Sequence, residues 1–407
     1  MLKRRLGERV ATALADTPVV LINGARQTGK STLAAQIQPD QAHQVTFDDV
    51  SELSLARLNP ESYVSNLPKP VVLDEIQRIP DIFVSIKAAI DRHRKPGQFL
   101  LTGSANVLLL PNLSDSLAGR MEITTLWPLS QGEINQVSET FLVNLLNGDI
   151  PNYTSNLNEK ILAQKILTGG YPEVVMRKSF DRKSAWFQAY LTTIIQRDIQ
   201  DLSNIDKMTD MPGLVALLAT RAGNLLNFSE LSRSSQIPVT SLKRYFTLLE
   251  TIFQIYRLLP WTKNISKKFT KSPKVMFTDS GMLCHLLGQN EEKLIRSPKL
   301  YGQVLENFIV NELQKQASWM VNAPRFYHFR TSSGIEVDLI LECGDGSLIA
   351  VEIKKSSQIS KVDFKGLEYF SEMNKDKMKQ GILFYCGKNT IHYKDNLYAV
   401  PVDAIWS

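Results

Sequence analysis

The sequence predicts an α/β fold in three parts: an N-terminal α/β domain with a parallel sheet, a helical middle segment, and a C-terminal α/β domain. Three observations carry this reading. The apolar run PVVLI (residues 18 to 22) leads through the glycine-rich GARQTGKST (24 to 32) into helix formers. Helical periodicity around residues 229 to 252 is broken at Gln236 to Pro238. An amphipathic pattern near residue 304 precedes three strand-like runs, RFYHFRT, EVDLILE and LIAVEIK. A chain of 407 residues exceeds one ordinary core, and the boundaries fall at 1–160, 161–290 and 291–407.

With 43% hydrophobic and 22% charged residues the composition is that of a folded soluble protein. No apolar run approaches the length that crosses a bilayer, so no membrane partner is expected. The basic opening MLKRRLGERV lacks the apolar core and cleavage site of a signal peptide, which points to the cytoplasm. Cys284, Cys343 and Cys386 are far apart with no C-x-x-C pair, which argues against a disulfide framework and a zinc site. A net charge of +6 and a pI near 9.0 permit nucleic-acid binding without requiring it.

PVVLI has the character of a strand buried on both faces, and STLAAQI that of the helix that follows. Between them Gly24, Gly29, Lys30 and Ser31 fit the spacing G-x-x-x-x-G-K-[ST]. In that setting the loop Gly24, Ala25, Arg26, Gln27, Thr28, Gly29, Lys30, Ser31 and Thr32 cradles nucleotide phosphates on backbone amides. Lys30 then reaches the β- and γ-phosphates and the Ser31 hydroxyl ligates Mg²⁺. A second apolar strand, in KPVVLDEIQ, ends in Asp74 and Glu75. Asp74 would hold the Mg²⁺ through its water shell, and Glu75 would orient and polarise the attacking water. A third run, FLLTGSAN, brings Ser104 or Asn106 toward the γ-phosphate. The competing readings are a glycine turn with a solvent-facing acidic pair, and a small-molecule kinase. The acidic pair at the strand end favours hydrolysis over transfer.

GARQTGKST, VVLDEIQ, LLTGSAN and SLAGR, followed by GGYPEVV, resemble the prokaryotic AAA+ ATPases that carry a C-terminal domain of unknown function with a restriction-endonuclease-like core. The resemblance covers nearly the whole chain. It implies ATP with Mg²⁺ as cofactor and a homo-oligomer with the nucleotide at subunit boundaries. Arg120, in SLAGR, matches the family's arginine motif and would reach a neighbour's γ-phosphate, a contact worth roughly 10³ to 10⁵ in rate. Its alternative is a surface arginine paired with an acid. Asn135 to Lys160 shows no firm periodicity and reads as an insertion or linker, where the resemblance is weakest.

In the middle segment Gly169, Gly170 and Pro172 fix a turn that the family carries at the edge of the ATPase lid. Arg197 and Asp198 match a recurrent family pair and read more simply as an ion pair. A short helix from Ser229, the break, and a helix opening near Thr240 make a helix-turn-helix of the winged type. Leu242, Tyr245, Leu248, Leu249 and Ile252 would face its core, with Lys243 and Arg244 outward. Arg257, Lys263, Lys267, Lys268, Lys271 and Lys274 follow without an intervening acid, where a wing hairpin is expected. An unbalanced basic hairpin beside an exposed helix suits phosphate contacts along DNA. The alternative is a protein-interaction module with a solvated basic loop.

In the C-terminal part Val304, Leu305, Phe308, Ile309 and Leu313 mark an amphipathic helix. Alternation along EVDLILE puts Glu336 and Asp338 on one face, and Glu352 and Lys354 likewise share a face. A hairpin centred near Asp345 places Asp338 opposite Glu352, with β-carbons about 4.5 to 5.5 Å apart. Two such carboxylates suit a second divalent ion, Mg²⁺ or Mn²⁺, with Lys354 stabilising phosphate charge. The order D-x₁₃-E-x-K after a helix also resembles the PD-(D/E)xK nuclease core, and Glu306 matches an acidic helix residue of some members. A surface hairpin of alternating charge is the alternative, and even the correct fold need not cut DNA.

The expectation is an ATP-hydrolysing oligomer that binds DNA and remodels or cleaves it. The competing expectation is a nucleotide-operated switch or interaction scaffold with a catalytically silent C-terminal domain.

Overall fold

Strands that are apolar throughout need cover on both faces, and all five residues of β1 (Val19–Asn23) are buried. A computed structural model of the protein describes residues 2–37, 42–106, 109, 117–194, 210–264 and 271–406. Within it the chain forms two units: Lys3–Pro128 with Phe246–Gln254, and Leu129–Tyr245 with Ile255–Ser407.

In the first unit β1 is joined by β2 (His43–Thr46), β3 (Val71–Asp74), β4 (Phe99–Gly103) and β5 (Met121–Thr125) in the order β2-β3-β4-β1-β5. Every pairing is parallel, so helical crossovers such as Lys30–Ile37 and Ile82–Arg92 cover the faces. Because β4 lies between β1 and β3, Phe99 is in register with both Val19 and Val71. That alignment brings Asn23, Asp74 and Gly103 to one edge of the sheet. The core on one face includes Leu21, Phe47, Leu73, Ile86 and Phe99.

The second unit is built on an eight-stranded sheet, β12-β13-β11-β10-β9-β8-β6-β7. Its strands are β6 (Ile255–Pro260), β7 (Lys274–Phe277), β8 (Arg325–Arg330), β9 (Glu336–Glu342), β10 (Leu348–Lys354), β11 (Met378–Tyr385), β12 (Ile391–Lys394) and β13 (Leu397–Pro401). The expected amphipathic helix is Pro298–Ser318, with Val304, Leu305, Phe308, Ile309 and Leu313 all buried. Helices Phe228–Ser235 and Val239–Thr251 flank Gln236, whose φ of 60° makes the break. Leu242, Tyr245, Leu249 and Ile252 are buried as the spacing predicts. Leu248 is half-buried.

Two expectations need correction. Asn135 to Lys160 is not a loose linker: in FLVNLL, Phe141, Leu142 and Leu145 are buried in the helix Phe141–Asn147. Downstream, Thr154 bridges Asn389 and the Tyr153 hydroxyl lies 3.1 Å from Asp403 Oδ2. This short apolar cluster is too brief for its periodicity to be visible. Second, the expected basic hairpin is present as the antiparallel pair β6–β7, but it does not stand alone, since β6 also pairs parallel with β8.

The turn at Gly169 and Gly170 has a local cause. Gly169 has φ 66°, and a Cβ there would lie 2.2 Å from Asp279 Oδ1. Asp279 accepts from the Gly170 amide at 2.7 Å and caps the helix Ser280–Leu286 through Met282 N at 2.9 Å.

Candidate functional site

The glycine loop closes tightly on itself. Gly24 has φ 145°, and a Cβ there would stand 2.3 Å from the Leu126 carbonyl oxygen, so only glycine fits. Lys30, only 4% exposed, opens the helix Lys30–Ile37 and donates from Nζ to the Ala25 carbonyl at 2.9 Å. Thr28 Oγ1 donates to the same carbonyl at 2.9 Å. From outside the loop Arg4 donates to the carbonyls of Thr28 and Trp127, each at 2.6 Å, and ties down the backbone that would face phosphate.

At the carboxyl ends of β3 and β4 the acidic pair divides its partners. Asp74 accepts from Ser31 Oγ, 2.9 Å from each carboxylate oxygen, and from Thr102 Oγ1. Glu75 turns out of β3 with φ 57°. Its Oε2 accepts from the Gln77 amide and, at 3.0 Å, from Ser104 Oγ. Gln77 also donates to Ser104 Oγ at 2.9 Å and accepts from Ser104 N at 3.1 Å. Gln77 was missed in the sequence, although its place two residues after Glu75 was a signal. The Asn106 amide donates to the Thr251 carbonyl at 2.6 Å. Ser31 and Asp74 offer hard oxygens converging beside the loop, a donor set that fits Mg²⁺ with a triphosphate. Arg120 Nε donates to Asp91 Oδ1 at 2.6 Å and its Nη1 to the Ala118 carbonyl at 3.2 Å. Within one chain, therefore, Arg120 makes the ion pair of its alternative reading.

The basic segment is less uniform than its sequence. Lys243, Arg244 and Lys271 are exposed, with the Lys243 ammonium 6.0 Å from the Phe228 ring centroid. Lys263 donates to the Met373 carbonyl at 2.8 Å. Lys267 and Lys268 lie outside the described residues, as do Arg197 and Asp198. Lys274 is not a surface charge at all: it is 5% exposed and lies 2.7 Å from Glu306 Oε1 and 3.6 Å from Asp338 Oδ1. Burial alone would lower its pKa, but Glu306 and then Asp338 outweigh that and hold it above its ordinary value.

The hairpin of β9 and β10 pairs Glu342 with Leu348 and Leu339 with Val351, the register that sets Asp338 opposite Glu352. Asp338 Oδ2 accepts from the Ile353 amide at 2.9 Å. Glu352 Oε1 accepts from Lys354 at 2.6 Å, while its Oε2 is buried without a hydrogen-bond partner. Burial, reinforced by the Asp338 charge, pushes the Glu352 carboxyl up to about 8. A divalent ion shared by Asp338 and Glu352 does not fit this arrangement. An ammonium already stands beside Asp338, and among the described residues no three His, Cys, Asp or Glu side chains are grouped to hold a metal.

Residues 16–135 match the family described as an AAA domain, which makes this part of the chain an AAA-type nucleotide-binding domain. Residues 159–293 and 301–405 match two domains of unknown function, DUF8612 and DUF4143. The chain is 31% identical to the uncharacterized protein Mb2031c of Mycobacterium bovis, over 99% of this chain and 84% of that one. The same identity and coverage relate it to the uncharacterized protein Rv2008c of Mycobacterium tuberculosis. Among solved structures, it is similar to a Walker-type ATPase of Pyrococcus abyssi at 14% identity and TM-score 0.43, covering 70% of this chain and 96% of that one. No described helix is long and apolar enough to cross a membrane.

Proposed function

The chain belongs to the family of these two mycobacterial proteins, and from that premise we propose that it is an ATP-hydrolysing AAA protein that works as a homo-oligomer on DNA. The observation that carries the hydrolytic reading is the convergence of Lys30, Ser31, Asp74 and Glu75 at one sheet edge, with Asp74 and Glu75 held by different partners. Backbone amides from Gly24 to Ser31 and the N-terminus of the helix Lys30–Ile37 would hold the phosphates of ATP. Lys30 would leave the Ala25 carbonyl for the β- and γ-phosphate oxygens. Mg²⁺, when bound, would supply charge neutralisation to the phosphates. Ser31 and Asp74 are the residues that would hold it. Glu75 would accept a hydrogen bond from the attacking water and draw its proton as the oxygen bonds to the γ-phosphorus, while the bond from that phosphorus to the bridging oxygen breaks and ADP leaves. Ser104, and Asn106 beyond it, would face the γ-phosphate, and Arg120 would approach it from a neighbouring subunit.

DNA contact rests on the exposed Lys243, Arg244 and Lys271, with Lys263, Lys267 and Lys268 completing the basic segment of a winged-helix element. In this reading the C-terminal part would be a restriction-endonuclease-like core. Asp338, Glu352 and Lys354 would be its cutting residues. A second reading keeps that part as a catalytically silent scaffold of a nucleotide-operated switch, and the ammonium beside Asp338 favours it.

Phosphate release by the full chain with Mg²⁺, alone and with single-stranded, duplex or branched DNA, tests both. Stimulation by DNA that fades with salt supports the DNA-directed ATPase, and cutting lost in Glu352→Ala would restore the nuclease. Hydrolysis indifferent to every DNA, with all substrates intact, moves the assignment to the switch. Phosphorylated acceptor in place of free phosphate would reveal a kinase.

A further inference from the structure

We propose that a cleft in the helical part of the second unit binds a small organic anion, with the charged head at Lys183, Lys293 and the Ser184–His285 pair and the apolar body against Phe180 and Phe187. The cleft lies wholly within the residues matched to DUF8612, and the inference does not rest on the ATPase reading.

Several helices build it. Leu167 of Glu159–Thr168 forms one wall, and His285 comes from Ser280–Leu286. Phe180, Lys183, Ser184 and Phe187 share one face of Phe180–Thr193, because their spacing is that of successive helical turns. Lys293 closes the rim from Glu291–Arg296. The volume is about 270 Å³, room for a metabolite rather than a peptide.

The charge of this lining is one-sided. Among the described residues no Asp or Glu lines the cleft. Neutral groups hold the two ammoniums: Lys183 Nζ donates to Thr168 Oγ1 at 2.7 Å, and Lys293 Nζ to the Gly288 carbonyl at 3.3 Å. Each keeps N–H donors to spare. The acids beside Lys293 in sequence are engaged elsewhere, Glu291 by Lys160 and Gln164, and Glu292 by Arg296. Asp181 stands two residues from Lys183, a spacing that sets it on the other side of the helix. Burial lowers the Lys183 pKa, and an anion in the cleft would supply the compensating charge.

Ser184 Oγ and His285 Nδ1 lie 3.2 Å apart. Burial holds the imidazole below its ordinary pKa, so it is neutral at neutral pH. Whichever group donates across that contact, one proton remains for a ligand, on the serine hydroxyl or on Nε2. Phe187 is buried, whereas Phe180 is 45% exposed, an aromatic ring that an apolar body would cover. The larger cleft beside Lys355, about 440 Å³, has no such imbalance, because Glu159 pairs with that lysine at 2.7 Å.

Ligand-observed NMR with the full chain tests the proposal, using benzoate and phenyl phosphate as anions and benzyl alcohol as their neutral analogue, each titrated to millimolar concentration. The two anions share a ring and differ in the head, so the tighter one identifies the head as carboxylate or phosphate. At least one anion is expected to bind about tenfold or more tightly than the alcohol, and to lose about tenfold or more in Lys183→Met/Lys293→Met. Lys30→Ala should bind it unchanged, which separates this cleft from the phosphate loop. Failure of both anions to bind overturns the proposal, and so does binding no tighter than that of benzyl alcohol, binding that survives the double variant, or binding lost in Lys30→Ala. If the double variant fails to fold by circular dichroism, Lys293→Glu, at an exposed position, decides in its place by the same loss.

Discussion

The Ser31 hydroxyl lies 2.9 Å from each carboxylate oxygen of Asp74, so a residue at the first turn of one helix and the last residue of β3 present their oxygens to the same point. Ser31→Ala and Asp74→Asn are each expected to lower phosphate release by about 10² or more, because each removes a hard oxygen from Mg²⁺. Binding of a fluorescent nucleotide should persist in both and lose its tightening by Mg²⁺. Unaltered Mg²⁺ dependence would count against this pair. Lys30→Ala, by contrast, should abolish nucleotide binding.

Glu75 and its clamp separate chemistry from orientation. Glu75→Gln is expected to retain nucleotide while turnover drops by about 10² to 10⁴. Gln77→Ala frees Glu75 Oε2 from an amide donor, and hydrogen bonds to charged groups support a loss of about 10- to 100-fold in kcat with KM unchanged. Full turnover in Glu75→Gln would overturn the active-site assignment, whereas a raised KM in Gln77→Ala would make the amide a binding group.

Arg120 distinguishes an assembly from a single chain. Its ion pair with Asp91 is partly exposed on both sides, 29% and 45%, and such pairs contribute about 0.2 to 1 kcal/mol. Arg120→Ala should therefore leave unfolding by urea nearly unchanged while turnover falls at least 10²-fold. Adding Glu75→Gln chains, which retain Arg120, should restore part of that turnover. An Arg120→Ala protein with normal turnover would leave only the ion pair.

His328 gives the second unit a pH signature. Burial, then the nearby Lys274 ammonium, lowers its pKa to about 3 from an ordinary 6.5. Between those values the unfolded chain binds the extra proton, so the contribution is complete above 6.5 and is lost as pH falls toward 3. Relative to His328→Gln, the unfolding free energy of wild type should fall by up to about 1.4 kcal/mol per pH unit across that window. Parallel profiles for the two proteins would rule out a neutral buried imidazole.

Much of the first unit was legible because its strands are short apolar runs ending in chemistry: Val71, Val72 and Leu73 before Asp74 read as a buried strand, and form one. The β9–β10 register was legible too, since alternation and a glycine turn near Asp345 leave little freedom. Lys274 was misread for a physical reason. Sequence adjacency to Lys271 and Arg257 suggests a common exposed face, while the carboxylates that bury it stand at 306 and 338. Gln77 escaped because an uncharged amide is easily passed over, although its place two residues after Glu75 marked it. The apolar residues of 141 to 145 were too few to show a period.

The insertion of β6 between β7 and β8 has an evolutionary consequence. The family match for residues 159–293 ends after β7, and the match for 301–405 begins within the helix that precedes β8, yet the sheet crosses that boundary. A recombination event that exchanged only the later segment would strip two strands from the sheet edge and part Glu306 and Asp338 from Lys274. The two segments of unknown function thus share one sheet, and neither alone supplies all eight strands.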